Sequence, residues 1–318
     1  MRHGWGYWDA AGARITDQEE IDRLNGVGLP PAYRDAWFCP KPNGHIQAIG
    51  WDEKGRKQYR YHPDFRARQE SAKYEGCATF GRLLPKLRAR VERDLKLRGL
   101  SREKAVAAVV RLLDLGHIRV GNEGYARANR SFGATTLRCR HAQVVGEKLK
   151  LKFRAKSGKE KVMTVTDRSL TRFVRKCHDL PGQHLFQWLD EEGAPHPVSS
   201  SDVNEYIRDA MSDDFTAKHF RTWGASVLAF EALAGADEDI GLNAMLAPVT
   251  EALGNTPAIA RKSYVHPMLV ELARSGDQQA LRNRPLPRAT AHLSRAERAL
   301  IALLDATAQE KRELKLAA

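Results

Sequence analysis

Four stretches of this 318-residue chain carry side chains suited to handling a phosphate anion. They are Ile118-Arg119-Val120-Gly121-Asn122-Glu123-Gly124-Tyr125, Phe153-Arg154-Ala155-Lys156-Ser157-Gly158-Lys159, Ala217-Lys218-His219-Phe220-Arg221-Thr222-Trp223-Gly224, and Leu253-Gly254-Asn255-Thr256-Pro257 running on to Arg261-Lys262-Ser263-Tyr264. A phosphodiester repels nucleophiles because it is anionic. Attack produces a five-coordinate phosphorus whose non-bridging oxygens gain charge. Guanidinium groups stabilise such oxygens, since each donates several hydrogen bonds and never loses its proton. Arg119 and Arg221 are the candidates for that clamp. Asn255 can add a neutral amide donor just ahead of a helix start, where anions are favoured.

The overall charge agrees with a polyanionic partner. Lys and Arg number 52 against 39 Asp and Glu, a formal net charge of +13. Residues 54–104 hold 16 basic and 6 acidic side chains, a local balance of +10. Neutralising phosphates releases condensed counterions, so such an excess favours nucleic acid. An acidic membrane surface or simple solubility is the alternative. No HExxH, GxxxxGK[ST], GxSxG or DxDxDG pattern is present. Asp213-Asp214 and Asp237-Glu238-Asp239 read as solvated loop ends, and His117, His141 and His178 as structural. The reading is therefore of no metal and no cofactor, so side chains must supply both nucleophile and charge stabilisation. Cys39, Cys77, Cys139 and Cys177 form no close pair, which suggests neither a zinc site nor a disulfide framework. The amino-terminal Met-Arg-His-Gly-Trp-Gly-Tyr-Trp has no apolar core, and no run of about 18 apolar residues occurs. Neither export nor a membrane span is expected.

The elements that must position these residues fall into two groups. Pro30-Pro31, Pro40 and Pro42-Asn43-Gly44 punctuate residues 30–62, and His45–Trp51 and Arg56–Tyr61 flank a turn at Asp52-Glu53-Lys54-Gly55. This predicts a small antiparallel sheet unit over 1–74, with helical patterns taking over near residue 74. Residues 75–318 read as mainly helical. Ser101 caps a helix with Val106, Val109, Val110 and Leu113 at helical spacing, ended by Gly116. Alternation over Leu149–Phe153 and Val162–Val165 predicts a hairpin around Ser157-Gly158. Helices are expected from Ser199–Asp202, from Thr216 through Phe230, from Thr256-Pro257, and from Ser294 with Glu297 completing a capping box. The expected fold class is α+β: an N-terminal antiparallel β-sheet domain, then a larger helical catalytic domain with a small hairpin.

In this order the four stretches resemble the catalytic segments of type IB DNA topoisomerases, above all the compact bacterial and poxvirus branch. Gly50-Trp51-Asp52-Glu53-Lys54-Gly55-Arg56-Lys57-Gln58-Tyr59-Arg60-Tyr61 resembles that branch's N-terminal domain. The resemblance covers roughly residues 30–270. It implies that Tyr264 is the nucleophile, forming a 3′-phosphotyrosyl bond that conserves the energy of the broken linkage. It implies that Lys156 is the general acid for the leaving 5′-oxygen. The catalytic set would be Arg119, Lys156, Arg221, Asn255 and Tyr264. Gln58, Tyr59 and Tyr61 would contact DNA in the major groove, and Tyr125 and Lys218 would lie near the cleaved strand. Many family members carry His where this chain has Asn255. Both donate to a phosphate oxygen, and Asn also occurs in bacterial relatives.

Taken singly, each residue has an ordinary explanation. A tyrosine near a helix end is more often a half-buried packing residue. Arg119 and Arg221 could be phosphate contacts or surface ion pairs. Lys156 is one of a basic run with Lys150, Lys152, Lys159 and Lys161, Asn255 could be a turn residue, and Tyr61 could belong to a cross-strand aromatic pair. The joint pattern, with Asn255 nine residues before Tyr264, carries the reading. It implies relaxation of supercoiled duplex DNA, the two domains closing on DNA as a clamp. A monomer is expected because no heptad seam or interface motif stands out, and a cytoplasmic, nucleoid-associated setting because the cysteines suggest no disulfide framework. The competing readings are strand exchange by a tyrosine recombinase or integrase, and a non-catalytic DNA-binding protein of the same fold. Against the first stand Lys218-His219-Phe220-Arg221, where recombinases usually show HxxR, and a β-rich N-terminal domain. Against the second, all five catalytic positions are filled.

Overall fold

The computed structural model describes residues 5–317. The first four residues of the amino-terminal stretch lie outside the described residues. The chain divides into two compact units, Met1–Glu75 and Gly76–Ala318.

In the first unit, helix α1 (Gln18–Gly26) precedes strands β1 (Arg34–Phe38), β2 (Ile46–Trp51) and β3 (Lys57–Tyr61). The strands form an antiparallel sheet in sequence order. The β2–β3 turn forms where the sequence expects it. Asp52 accepts the backbone amides of Lys54 and Arg56, each at 3.0 Å, and Gly55 adopts φ +67°. Ala48 and Gly50 are buried on one face of β2, while Ile49 and Trp51 face the other way. Helix α2 (Pro63–Leu95) starts immediately after β3 and not near residue 74. Pro63 sits at the first helical position, where its missing N–H costs nothing. The following residues are too polar to show an apolar stripe, so periodicity alone could not reveal this part of the helix.

The second unit is built around α3 (Arg102–Gly116). Ser101 caps it through the Lys104 amide, and nearly every side chain from Ala105 to Leu113 is buried. A helix apolar on all sides must be surrounded. The chain continues through α4 (Glu123–Asn129), strands β4 (Ala142–Val145), β5 (Lys148–Arg154) and β6 (Glu160–Thr166), α5 (Arg168–His178), the short pair β7 (Gln187–Leu189) and β8 (Pro195–Pro197), and α6 (Ser200–Met211). It finishes with α7 (Ala217–Ala234), α8 (Leu242–Leu253), α9 (Pro257–Ser263), α10 (Pro267–Ser275), α11 (Gln279–Arg282) and α12 (Arg295–Ala317). Helices α5, α6 and α7 and strand β7 all pack on α3. The hairpin expected around Ser157-Gly158 is β5–β6, and β4 adds a third strand on the β5 side. On β5 the side chains alternate regularly, with Leu149, Leu151 and Phe153 inward and Lys148, Lys150, Lys152 and Arg154 outward. The four cysteines form no disulfide.

The basic run over 54–104 is not a single outward face. Arg90 lies 4.3 Å from the Tyr206 ring, and Lys104 is buried. Arg88 is bound by two carboxylates. It donates to Asp114 at 2.8 and 2.9 Å and to Glu297 at 2.9 and 2.8 Å. Glu297 also accepts from Trp223 Nε1 at 3.1 Å and from the Ser294 amide at 2.8 Å, completing the expected cap of α12. This cluster joins α2, α3, α7 and α12. Burial alone would raise the Glu297 carboxyl. The bonds and charge of Arg88, with the Ser294 and Trp223 donors, outweigh it and hold the group below the usual carboxylate range.

A depressed folded pKa means that the Glu297 contribution is complete above the unfolded value of about 4.3 and is lost as pH falls through the lower folded value. Glu297→Gln should cost about 3 kcal/mol in urea unfolding at neutral pH, since it removes the buried carboxylate that compensates the partly buried Arg88. The gap to wild type should close as the solution is acidified below about pH 4. A gap of constant size would show that the carboxylate charge is not the cause.

Candidate active site

The site begins where α3 ends. His117 caps the helix with φ +49°, and its carbonyl accepts from Arg221 Nη1 at 2.5 Å. The His117 ring lies on α7 at Gly224, where an added Cβ would come within 2.4 Å of the imidazole. Any side chain there would push α7 away from the segment bearing Arg119. That segment is pinned from its other side. The amides of Ala134 and Thr135 donate to the carbonyls of Arg119 and Val120 at 2.8 and 2.7 Å. A Cβ at Gly133 would lie 2.5 Å from the Arg119 carbonyl oxygen, so only glycine permits this approach.

Arg221 lies in the first turns of α7 and is 4% exposed. Its Nη2 faces the Leu253 carbonyl at 3.4 Å. Burial lowers its pKa, as does the Arg119 charge, while the Tyr264 phenol acts in the opposite direction. The Tyr264 ring lies beneath the guanidinium, 4.7 Å from Arg221 Cζ. Tyr264 directly follows α9, whose Thr256 cap and Pro257 at the first helical position form as the sequence predicts. The chain beyond it is tied back to α7, because the His266 amide donates to Ser226 Oγ at 3.0 Å. One helix thus carries a guanidinium and also anchors the segment bearing the phenol. Burial works to raise the Tyr264 pKa. The charges of Arg221 and Arg119, a hydrogen bond with Arg221 and the charge of Lys156 outweigh it, and the phenol is held below its ordinary value.

Asn255 occupies the corner between α8 and α9, after Gly254 with φ +67°. Its Oδ1 accepts from Arg119 Nη2 at 3.4 Å. Its Nδ2 and Arg221 Nε are buried donors with no partner among the described residues. Unsatisfied buried donors are costly, and an anion's oxygens would satisfy both. Lys156 is exposed in the turn between β5 and β6, which Ser157 and Gly158 close with φ of +65° and +74°. The structure therefore gathers Arg119, Arg221, Asn255 and Tyr264, with Lys156 near enough for its charge to act on the phenol. The assembly can stabilise charge on a phosphate and lower the cost of ionising a phenol.

The other candidates are distributed differently. Tyr125 lies in α4, and Lys218 is exposed one helical turn before Arg221. In the first unit Tyr59 and Tyr61 are exposed on the same face of β3, with ring centroids 6.1 Å apart. Lys57 on that face lies 5.6 Å from the Tyr59 ring and 5.3 Å from the Trp51 ring. Trp37, Ile49 and Tyr59 are in register across the three strands, so the face is broader than the sequence suggests. Gln58 points to the opposite face and donates to Asp52 at 3.0 Å. Strand alternation separates it from its neighbours. His117 is structural, as the sequence suggests, but its tie to the site was not legible there; Gly133, Gly224 and Ser226 were missed as supports, since each acts across a long-range contact that leaves no local pattern.

Comparisons with known proteins bear on the family of this chain. Residues 62–262 match the family model described as eukaryotic DNA topoisomerase I, catalytic core. That span includes Arg119, Lys156, Arg221 and Asn255, and Tyr264 follows two residues beyond it. Residues 4–52 match the bacterial DNA topoisomerase IB N-terminal domain. DNA topoisomerase 1B of Acanthamoeba polyphaga mimivirus is 32% identical over 274 residues, covering 82% of each chain. DNA topoisomerase 1B of Vaccinia virus (strain Copenhagen) is 20% identical over 230 residues, 71% of this chain and 72% of the relative. DNA topoisomerase 1 of Mycosarcoma maydis is 24% identical over 222 residues, 62% of this chain and 22% of that longer protein. Among the described residues no helix is long and apolar enough to cross a membrane. With a catalytic-core match over more than half its length and a relative aligned over most of both chains, this chain belongs to the type IB DNA topoisomerases.

Proposed function

We propose that this protein relaxes supercoiled duplex DNA by cutting and resealing one strand through Tyr264. The observation that carries the reading is the phenol lying beneath a buried guanidinium, 4.7 Å from Arg221 Cζ, with its pKa held down. Tyr264, its phenolic proton released to solvent, attacks the scissile phosphorus as phenolate. The bond from phosphorus to the 5′-oxygen breaks, and that oxygen takes a proton from Lys156. Arg119, Arg221 and Asn255 donate to the non-bridging oxygens in the transition state. Donors fixed in place before the reaction are worth most, because nothing need reorganise as charge develops. The free 5′ end then swivels about the intact strand. Reversal of the same steps reseals the break, and the conserved bond energy makes ATP unnecessary.

The partner is double-stranded DNA, and the working unit is a monomer acting on the nucleoid in the cytoplasm. The two domains of the sequence reading, 1–74 and 75–318, each contribute to gripping the duplex. In the first, Tyr59, Tyr61 and Lys57 form the face suited to groove and phosphate contact, with Gln58 reaching DNA only if it leaves Asp52. Tyr125 and Lys218 contribute contacts beside the cleaved strand. The net charge of +13 supports the polyanionic partner.

Relaxation of supercoiled plasmid in EDTA without ATP tests the reading. Wild type should relax the plasmid and leave a covalent protein–DNA adduct on a denaturing gel, and Tyr264→Phe should do neither. An adduct persisting in Tyr264→Phe would remove Tyr264 as nucleophile. Strand exchange between specific sites without relaxation would favour a recombinase.

A second prediction concerns pH. Because the cations lower the Tyr264 pKa, more phenolate is present at a given pH than for a free phenol, and the rate of single-turnover cleavage should level off below the ordinary value of about 10. Arg221→Ala removes the largest of the lowering influences, so the break in the profile should move upward. The same variant should slow cleavage by about 10²–10³-fold while weakening DNA binding far less. An unmoved break, or equal losses of binding and cleavage, would reduce Arg221 to a simple phosphate contact.

A further inference from the structure

Lys161 lies on β6, on the return strand of the hairpin that carries Lys156. Its partner across the ladder is Phe153, which is buried. The other lysines of these strands, Lys148, Lys150 and Lys152, stand on the exposed face. Lys161 instead shares the inner face with Met163 and Val165 and is half-buried there. A lysine on an apolar face needs acceptors for its ammonium. It finds them at the carboxyl end of α8, donating to the Ala252 carbonyl at 2.6 Å and the Glu251 carbonyl at 3.2 Å.

These are carbonyls that a helix end leaves without internal partners, and the helix dipole favours a cation there. Arg221 takes the next one, Leu253, at 3.4 Å. Gly254 then turns the chain, Asn255 meets Arg119, and α9 leads to Tyr264. The end of α8 is therefore a junction where the hairpin and the phosphate clamp are joined. On the other strand of the hairpin, the Arg154 carbonyl accepts from the Phe132 amide at 2.8 Å. Both strands are thus held where they meet the turn, and Lys161 supplies the tie on the side of the nucleophile.

We infer that Lys161 is a positioning residue that locks the Lys156 hairpin to the α8–α9 corner and so sets the approach of Lys156 to the leaving 5′-oxygen. This rests on the reading of Lys156 as the general acid. It requires no contact between Lys161 and DNA.

The chemistry of the leaving group separates this role from a structural one. A substrate with sulfur in place of the bridging 5′-oxygen expels a thiolate, which leaves without taking a proton. Loss of general-acid function should then cease to matter, whereas damage to the nucleophile or the phosphate clamp should persist. Single-turnover cleavage of both substrates is compared for wild type, Lys161→Met, Lys161→Arg, Lys156→Ala and Lys152→Met. Lys161→Met should be roughly 10²-fold slow on the oxygen substrate, the scale of loss when a reacting group is displaced by about 1 Å, and within about threefold of wild type on the sulfur substrate. Lys161→Arg, which keeps donors for the carbonyls, should recover most of the rate. Lys152→Met, altered on the outer face, should match wild type on both. Lys156→Ala should be slow on oxygen and restored by sulfur. Equal slowing of Lys161→Met on both substrates, or none on either, would overturn the inference while leaving the acid assignment intact. Failure of sulfur to restore Lys156→Ala would overturn the acid assignment and this inference with it.

Discussion

The site depends on keeping the charge of Arg221 buried without cancelling it. A partly buried arginine and a buried one in this unit, Arg88 and Arg221, solve the same problem in different ways. Arg88 is bound by the carboxylates of Asp114 and Glu297, so its field is neutralised and its role is to hold helices together. Arg221 meets two backbone carbonyls, those of His117 and Leu253, at the ends of α3 and α8. Carbonyl dipoles orient and partly solvate a guanidinium but carry no net charge. The positive field therefore remains available to the Tyr264 phenol and to an incoming phosphate. A carboxylate in the place of either carbonyl would stabilise the resting protein and weaken the clamp.

That arrangement explains the packing around α7. The helix holds Arg221, presents Gly224 to the His117 ring, and takes the chain after Tyr264 through Ser226. Two residues after Arg221, Trp223 donates to Glu297 and so links α7 to the buried ion cluster. The positions of guanidinium and phenol are thus set by side chains on different turns of one rigid element. Such placement favours catalysis, because donors fixed beforehand need not reorganise in the transition state. Lys156 is built on other terms. It stands on an exposed turn, and its placement comes from the anchors on the two strands beside that turn. The N-terminal unit is different again, offering an exposed aromatic and basic sheet face whose breadth comes from strand register.

Local signals in the sequence were enough for much of the fold. Ser101, Ser199, Thr256 and Ser294 each cap the helix they announce, because capping involves atoms only a few residues apart. The alternation of Lys148–Arg154 specifies a strand with one wet face for the same reason. The order and types of Arg119, Lys156, Arg221, Asn255 and Tyr264 suffice to name the family. Tertiary structure decided the rest. Whether Lys161 points outward with its neighbours or inward to α8, whether Gln58 shares a face with Tyr59, and whether Arg88 or Arg221 keeps its field all depend on groups remote in sequence. Burial and the identity of the acceptor come into being only when the chain closes on itself, and those two quantities separate a structural cation from one free to act on a phosphate.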